Sequence, residues 1–423
     1  KQRNDLATLT LIPQMTIRQL LRQHPRYLSF GFLHYFFSAA GQTFFISLFV
    51  AAMTERMGWA EGTFAGLYSG VTLVAAFTLP VIGAQVDRLR VRYVSTVTAL
   101  LLILGCITLG LTTNFYLLAV ALFVVRLGGQ GVLPLIGSTT IGRYFTSGRG
   151  KALSASIIGI SVAEVMLPPG VVLLLQELGY ATVWLIAAGV LAVVFIPSVW
   201  LLIRRYDNFQ RADTVAAEQA AASPEVAEQF SWTRGQVLRD RRFWLLFPAF
   251  IFIPFLFTGL VFNQAVLAAD RGYTAAWMAV GLSTYGFVRV LLLLSAGSVT
   301  DRYGAARLLR FVYVPVLLGL VGLLLLRGQV AVPLFFGLMG VTAGVESVLW
   351  PALWAERYGP RFLGSIKSTV RFLVVLASSA APVAFSFGFR LGVETWLGLI
   401  LGYGLLAFVL VCLEFGARPR VPS

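Results

Sequence analysis

The sequence predicts an all-α integral membrane protein with twelve transmembrane helices in two pseudo-symmetric six-helix bundles. Three observations predict it. Of 423 residues only 12% are charged while 58% are apolar, whereas soluble domains carry roughly 25% charge. The apolar residues gather into twelve stretches, each near the roughly 20 residues that cross a bilayer core as a helix. Residue types in the second half also repeat those of the first at one fixed offset.

Taken in order, the spans fall at about 27–53, 61–85, 93–113, 115–141, 151–176, 180–203, 243–268, 275–299, 306–326, 331–355, 365–389 and 395–415. The first follows the basic, amphipathic stretch MTIRQLLRQHPRYL. Polar or turn-forming clusters separate the others: GAQVDRLRVRY divides spans two and three, and GSVTDRYGAARLLR divides spans eight and nine. Six and seven are separated by the longest connection, whose RADTVAAEQAAASPEVAEQ is polar and without aromatics and reads as a linker. SWTRGQVLRDRRFW then approaches span seven; it and MTIRQLLRQHPRYL are expected along the membrane surface. The expected division is a bundle at 1–206, a cytoplasmic linker at 207–233 and a second bundle at 234–423.

Loop charges set the orientation. Arg88, Arg90, Arg92, Arg143, Arg149, Lys151, Arg204, Arg205, Arg239, Arg241, Arg242, Arg302, Arg307, Arg310, Arg357, Arg361 and Lys367 fall on one side. The other side has little beyond Arg56, Arg271, Arg327 and Arg390. The positive-inside bias makes both termini cytoplasmic, in a membrane expected to be the bacterial inner membrane. The net charge of +15 is spread over short loops rather than one folded face, which excludes a nucleic-acid partner. No cleaved signal peptide is expected, because polar residues run from Lys1 to Arg26.

Gly83, Asp87 and Arg88 recur as Gly297, Asp301 and Arg302, each 214 positions on. The same offset links Gly58 to Gly272, Trp59 to Tyr273, Arg143 and Tyr144 to Arg357 and Tyr358, Gly150 to Gly364, and Pro168 to Pro382. An internal repeat of six spans, an even number, places the copies in parallel about an axis along the membrane normal.

On these residues the chain resembles the major facilitator superfamily, whose signature loop is similar to the repeated G-x-x-x-D-R. The resemblance implies the two-bundle fold and a secondary carrier. Asp87 and Asp301 can accept hydrogen bonds from a neighbouring helix N-terminus and pair with loop arginines. Gly83, Asp87, Arg88, Gly297, Asp301 and Arg302 are therefore the expected cytoplasmic gate. RYFTSGRGKALSAS before span five, Gly58–Trp59 and RRFWLLF resemble the monocarboxylate-carrier and oxalate/formate-exchanger branch. RLGGQGVLPL in span four is similar to a common arginine-bearing motif of the superfamily, with its Arg-to-Gln spacing one residue longer.

An ionisable residue at membrane depth costs several kcal/mol unless paired or hydrated, so each calls for a role. Arg126, Glu164, Arg289 and Glu346 fall near mid-span; His34 and Arg371 lie between there and the cytoplasm. The branch resemblance implies that Arg289 in span eight and Arg371 in span eleven clamp a small carboxylate, a task to which the planar guanidinium fork is suited. The alternative is that Glu164 or Glu346 permanently neutralises one or both of them. Tyr285 stands where monocarboxylate carriers usually place an acid, and neither glutamate belongs to the pattern of an oxalate site.

Glu164 and Glu346 are candidates for proton coupling or for buried ion pairs, Arg126 with Glu164 being one pairing the spacing allows. His34 is a candidate proton relay or a packing residue. Gln42, Asn263, Gln264 and Tyr285 add neutral hydrogen-bonding groups to the expected substrate site. Two histidines and two separated cysteines supply no metal site. Walker, G-x-S-x-G and H-E-x-x-H motifs are lacking, so neither an enzyme nor an ATP-driven pump is expected, and no cofactor.

The expected function is secondary transport of a small organic anion, a mono- or dicarboxylate, by alternating access, with proton symport or anion exchange as the drive. The expected partners are that anion, protons and the lipid bilayer, with the protein a monomer. The alternative is a proton-coupled exporter of larger amphipathic or cationic compounds that uses a buried glutamate. The two are separated by whether arginine or glutamate lines the open cavity. A sensor that retains a carrier fold is disfavoured by the short termini.

Overall fold

The computed structural model describes residues 17–59, 62–145, 149–203, 232–359 and 362–416, and no strand occurs among them. Among the described residues ten helices are long and apolar enough to span a bilayer, and an eleventh span is the broken pair Pro25–Gly41 and Thr43–Met57, bent by 42°. One of the ten, Lys151–Leu202, is too long for a single crossing. It breaks at Gly179, whose φ of 76° and ψ of 170° are not helical. Such backbone angles favour glycine, and the break restores the expected fifth and sixth spans, giving twelve.

The remaining spans are Thr63–Arg88, Val91–Leu111, Phe115–Val125 continued to Tyr144, Arg241–Phe262 continued by Gln264–Arg271, Ala275–Tyr303, Ala305–Leu309 continued by Val314–Leu325, Ala331–Tyr358, Leu363–Gly388 and Val393–Gly416. Within the first bundle, span one packs on four and five; within the second, span ten packs on eight and nine, and seven on eleven. The bundles meet along span five with eight, and span two with eleven.

The repeat is visible in backbone detail. Helix Val50–Met57 ends at Gly58 in the left-handed region (φ 62°), and helix Gln264–Arg271 ends at Gly272 in the same way (φ 68°). The amide of Trp59 donates to Thr54 O at 3.1 Å, and that of Tyr273 to Ala268 O at 2.8 Å. Both satisfy orphan carbonyls with the same glycine cap. Tyr144 and Tyr358 each close a helix, and Pro168 and Pro382 each lie inside one.

The two amphipathic stretches form short helices, Ile17–Gln23 and Arg234–Arg239. Leu20 is buried with Ile141, Phe145 and Ala152. The second helix opens with a Thr233–Gln236 capping box. The sequence-assigned linker at 207–233 lies outside the described residues except for 232 and 233.

Candidate functional site

The charged residues expected at membrane depth separate into three environments. Arg126 is built into the first bundle. It opens a π-helical stretch, Arg126–Val132, within span four, and is 2% exposed. Its Nε donates to Thr72 Oγ1 at 3.0 Å and its Nη1 to Gly41 O at 2.7 Å. The guanidinium lies 4.6 Å from the centre of the Tyr68 ring, and the Tyr68 hydroxyl donates to Thr43 Oγ1 at 2.9 Å.

Arg126 thus binds the carbonyl at the break of span one, a group left without a helical donor. Close approach makes this reach feasible: a Cβ on Gly129 would lie 2.6 Å from Gly41 Cα. Sequence reasoning named Arg126 but missed Thr43, Tyr68 and Thr72, since nothing in the spacing of spans one and two marks those faces.

His34 is also internal to the first bundle and fully buried. Its Nδ1 lies 2.8 Å from Phe30 O and its Nε2 2.8 Å from Ser95 Oγ. In the neutral ring Nδ1 donates to the carbonyl and Nε2 accepts from the serine. The ring packs edge-on to Phe195.

Where the bundles meet, Arg289 Nη1 donates to both oxygens of Glu164 at 2.8 Å. The pairing of Arg126 with Glu164 expected from the sequence is therefore replaced: Glu164 pairs across the bundle interface with span eight, and Arg126 is satisfied by neutral groups. Two further contacts hold the same seam. Ser283 Oγ donates to Val165 O at 2.8 Å, and a Cβ on Gly286 would lie 2.8 Å from the Glu164 side chain.

Tyr285 lies 5% exposed beside this pair, its ring tilted on Phe257 at 4.7 Å and 5.8 Å from the Arg289 guanidinium. Glu346 on span ten is buried and within electrostatic reach of Arg289, and its Oε2 has no hydrogen-bond partner among the described residues.

Arg371 differs from the others. It lies in the first half of span eleven, Leu363–Gly388, is exposed, and is within electrostatic reach of the Tyr35 hydroxyl of span one, in the opposite bundle. That hydroxyl lies near Ser138 of span four. Among the described residues no carboxylate pairs with Arg371. It is thus an exposed cation with an electrostatic neighbour in the opposite bundle.

At the end opposite the arginine-rich loops, the Gln264 amide donates to Ser47 Oγ at 3.1 Å, and Phe262 packs on Phe64 and Tyr68 with centroids 5.7 and 4.5 Å apart. A cleft of about 590 Å³ opens there between the bundles, lined by Thr54, Trp59, Phe64, Asn263 and Arg390 among others. The Asn263 amide donates to Gly259 O at 2.9 Å and Pro382 O at 3.1 Å. Gln42 sits at the break of span one and donates to Ser38 Oγ at 3.4 Å.

Of the expected gate residues, Arg302 is exposed at the end of span eight. The side chains of Gly83, Asp87, Arg88, Gly297 and Asp301 lie outside the described ones. Among the described residues no group of three or more metal-binding side chains occurs.

Comparison with known proteins bears on the whole arrangement. The family model described as Major Facilitator Superfamily matches residues 31–382. An oxalate:formate antiporter of Oxalobacter formigenes is 21% identical over 306 residues, which is 71% of this chain and 69% of that protein. The crystal structure of the nucleoside transporter NupG superimposes with a TM-score of 0.65 at 12% identity, covering 96% of this chain and all of that one. The crystal structure of a point mutant of the same transporter gives 0.67 at 11% identity, covering 92% and 99%. At such identities the structural likeness speaks to the fold alone.

Proposed function

Because the chain belongs to the Major Facilitator Superfamily, we propose that it is a secondary carrier of small organic anions, mono- or dicarboxylates, working by alternating access. The observation that carries this reading is Arg371: an arginine within span eleven, exposed, within electrostatic reach of Tyr35 in the opposite bundle and unpaired with any described carboxylate. A guanidinium so placed has its fork available for a carboxylate. Arg289, already engaged by Glu164, is the second cation, and the likeness to an oxalate:formate antiporter supports the substrate class.

In this reading Tyr285, Gln42, Asn263 and Gln264 contribute neutral groups along the path. The two G-x-x-x-D-R loops latch the cytoplasmic side, and both termini are cytoplasmic. Glu164 and Glu346 supply the coupling if the drive is a proton. Arg126 and His34, satisfied within the first bundle, support its structure rather than the path.

The reading is tested by uptake of radiolabelled formate, acetate, oxalate and succinate into proteoliposomes. Arg371→Ala should weaken the apparent affinity for the transported anion by about two orders of magnitude, the cost of removing one partner of a desolvated charge pair. Undiminished uptake in that variant would remove the assigned site. A proton uncoupler stops symport and spares exchange.

The second reading, export of larger cationic compounds, draws on the unpartnered Oε2 of Glu346. It predicts that Glu346→Gln, and not Arg371→Ala, abolishes transport.

A further inference from the structure

Arg289 stands between two acids. Glu164, in the opposite bundle, holds its Nη1 through both carboxylate oxygens. Glu346, in its own bundle, lies within electrostatic reach. Arg289 Nε and Glu346 Oε2 are each buried without a hydrogen-bond partner among the described residues, a costly arrangement for charged groups. The cluster is faced by Tyr285 from span eight, Tyr313 from span nine, Trp350 from span ten and Ser161 from span five.

Packing decides which acid travels with the arginine. Cβ atoms on Gly340 and Gly344 of span ten would lie 2.7 Å from Tyr285 O and 3.0 Å from Arg289 O, so spans eight and ten are in backbone contact there. Glu346 therefore moves with Arg289. Glu164 belongs to span five and moves away whenever the Ser283–Val165 and Gly286–Glu164 contacts part. An arginine stripped of its acid at membrane depth is costly, and among the described residues the further acid within its electrostatic reach is Glu346.

We infer that Arg289 exchanges partners during the transport cycle, bonded to Glu164 across the interface in the present state and to Glu346 within its own bundle in the opposite state. Two carboxylates and one guanidinium are neutral together when the unpaired acid holds one proton. As the guanidinium reaches Glu346, that proton leaves to water; as it leaves Glu164, Glu164 takes a proton from water. The inference rests on the alternating-access reading.

The test uses distances between spin labels on cysteines placed at the exposed Tyr116 and Val330 at one end and Leu89 and Tyr303 at the other, with Cys412→Ser. Glu164→Gln should shift the population ratio of the two states by tenfold or more away from the present one, the weight of a charge-assisted hydrogen bond. Adding Glu346→Gln should reverse most of that shift, because it removes the alternate partner. Should the glutamine variants fail to fold, Glu164→Asp and Glu346→Asp should give the same order with smaller shifts.

A double variant shifted as far as Glu164→Gln alone would overturn the exchange. If oxalate or formate moves the distances and Glu164→Gln does not, the exchange falls and the carrier reading stands. If nothing moves them in any variant, alternating access falls with it.

Discussion

Replacing Arg126 with lysine keeps the buried charge and removes the fork. An ammonium on a flexible stem can still reach Gly41 O but cannot at the same time reproduce the Nε bond to Thr72, 3.0 Å long, or the guanidinium face over Tyr68. A hydrogen bond from a charged donor contributes about 1.5–3 kcal/mol, and a desolvated cation–π contact about 2. These terms are not additive, so we expect Arg126→Lys to destabilise the protein by about 2–4 kcal/mol. Thr72→Val removes the other end of the Nε bond, and the double variant closes a thermodynamic cycle. The expected coupling energy is about 2 kcal/mol, measured by reversible denaturation in micelles. A coupling below about 0.5 kcal/mol would refute the claim that this bond helps tie span four to span two.

Other outcomes follow from the same geometry. Gly129→Ala should cost about 1–3 kcal/mol by overpacking, since its new carbon meets the backbone of Gly41 rather than a flexible side chain; a neutral result by the same denaturation assay would mean that spans one and four can separate freely. Gly58→Ala and Gly272→Ala, at φ of 62° and 68° with no atom within 4 Å of either new carbon, should each cost about 1 kcal/mol from left-handed strain alone. Their melting shifts in detergent should agree, and a marked inequality would break the equivalence of the two caps.

The fold was legible in the sequence because bilayer length and loop charge are local properties. Even the kink in Lys151–Leu202 falls at Gly179, between the fifth and sixth predicted spans. The offset of 214 reached further, since Gly58 and Gly272 turn out to share a hydrogen-bonding pattern as well as a letter. Which charges fall within the spans was equally readable. Their pairing was not: whether Glu164 faces Arg126 or Arg289 depends on the rotation of span five about its axis, and in an apolar span the period leaves that rotation nearly unmarked. The exposure of Arg371 depends in turn on how far two bundles stand apart, a quantity held by contacts as slight as Ser283 with Val165.

The π-helical stretch Arg126–Val132 gives the unusual spacing of RLGGQGVLPL a history. A π turn accommodates one residue more than the α-helical path through the same space, and it arises most simply by insertion into an existing helix. The extra residue between Arg126 and Gln130 would then be a scar of that event, absorbed locally so that Leu133–Tyr144 kept its place on the neighbouring spans. Relatives with the shorter spacing should carry a plain α-helix here, and a gapless alignment through span four would misassign every residue on one side of it.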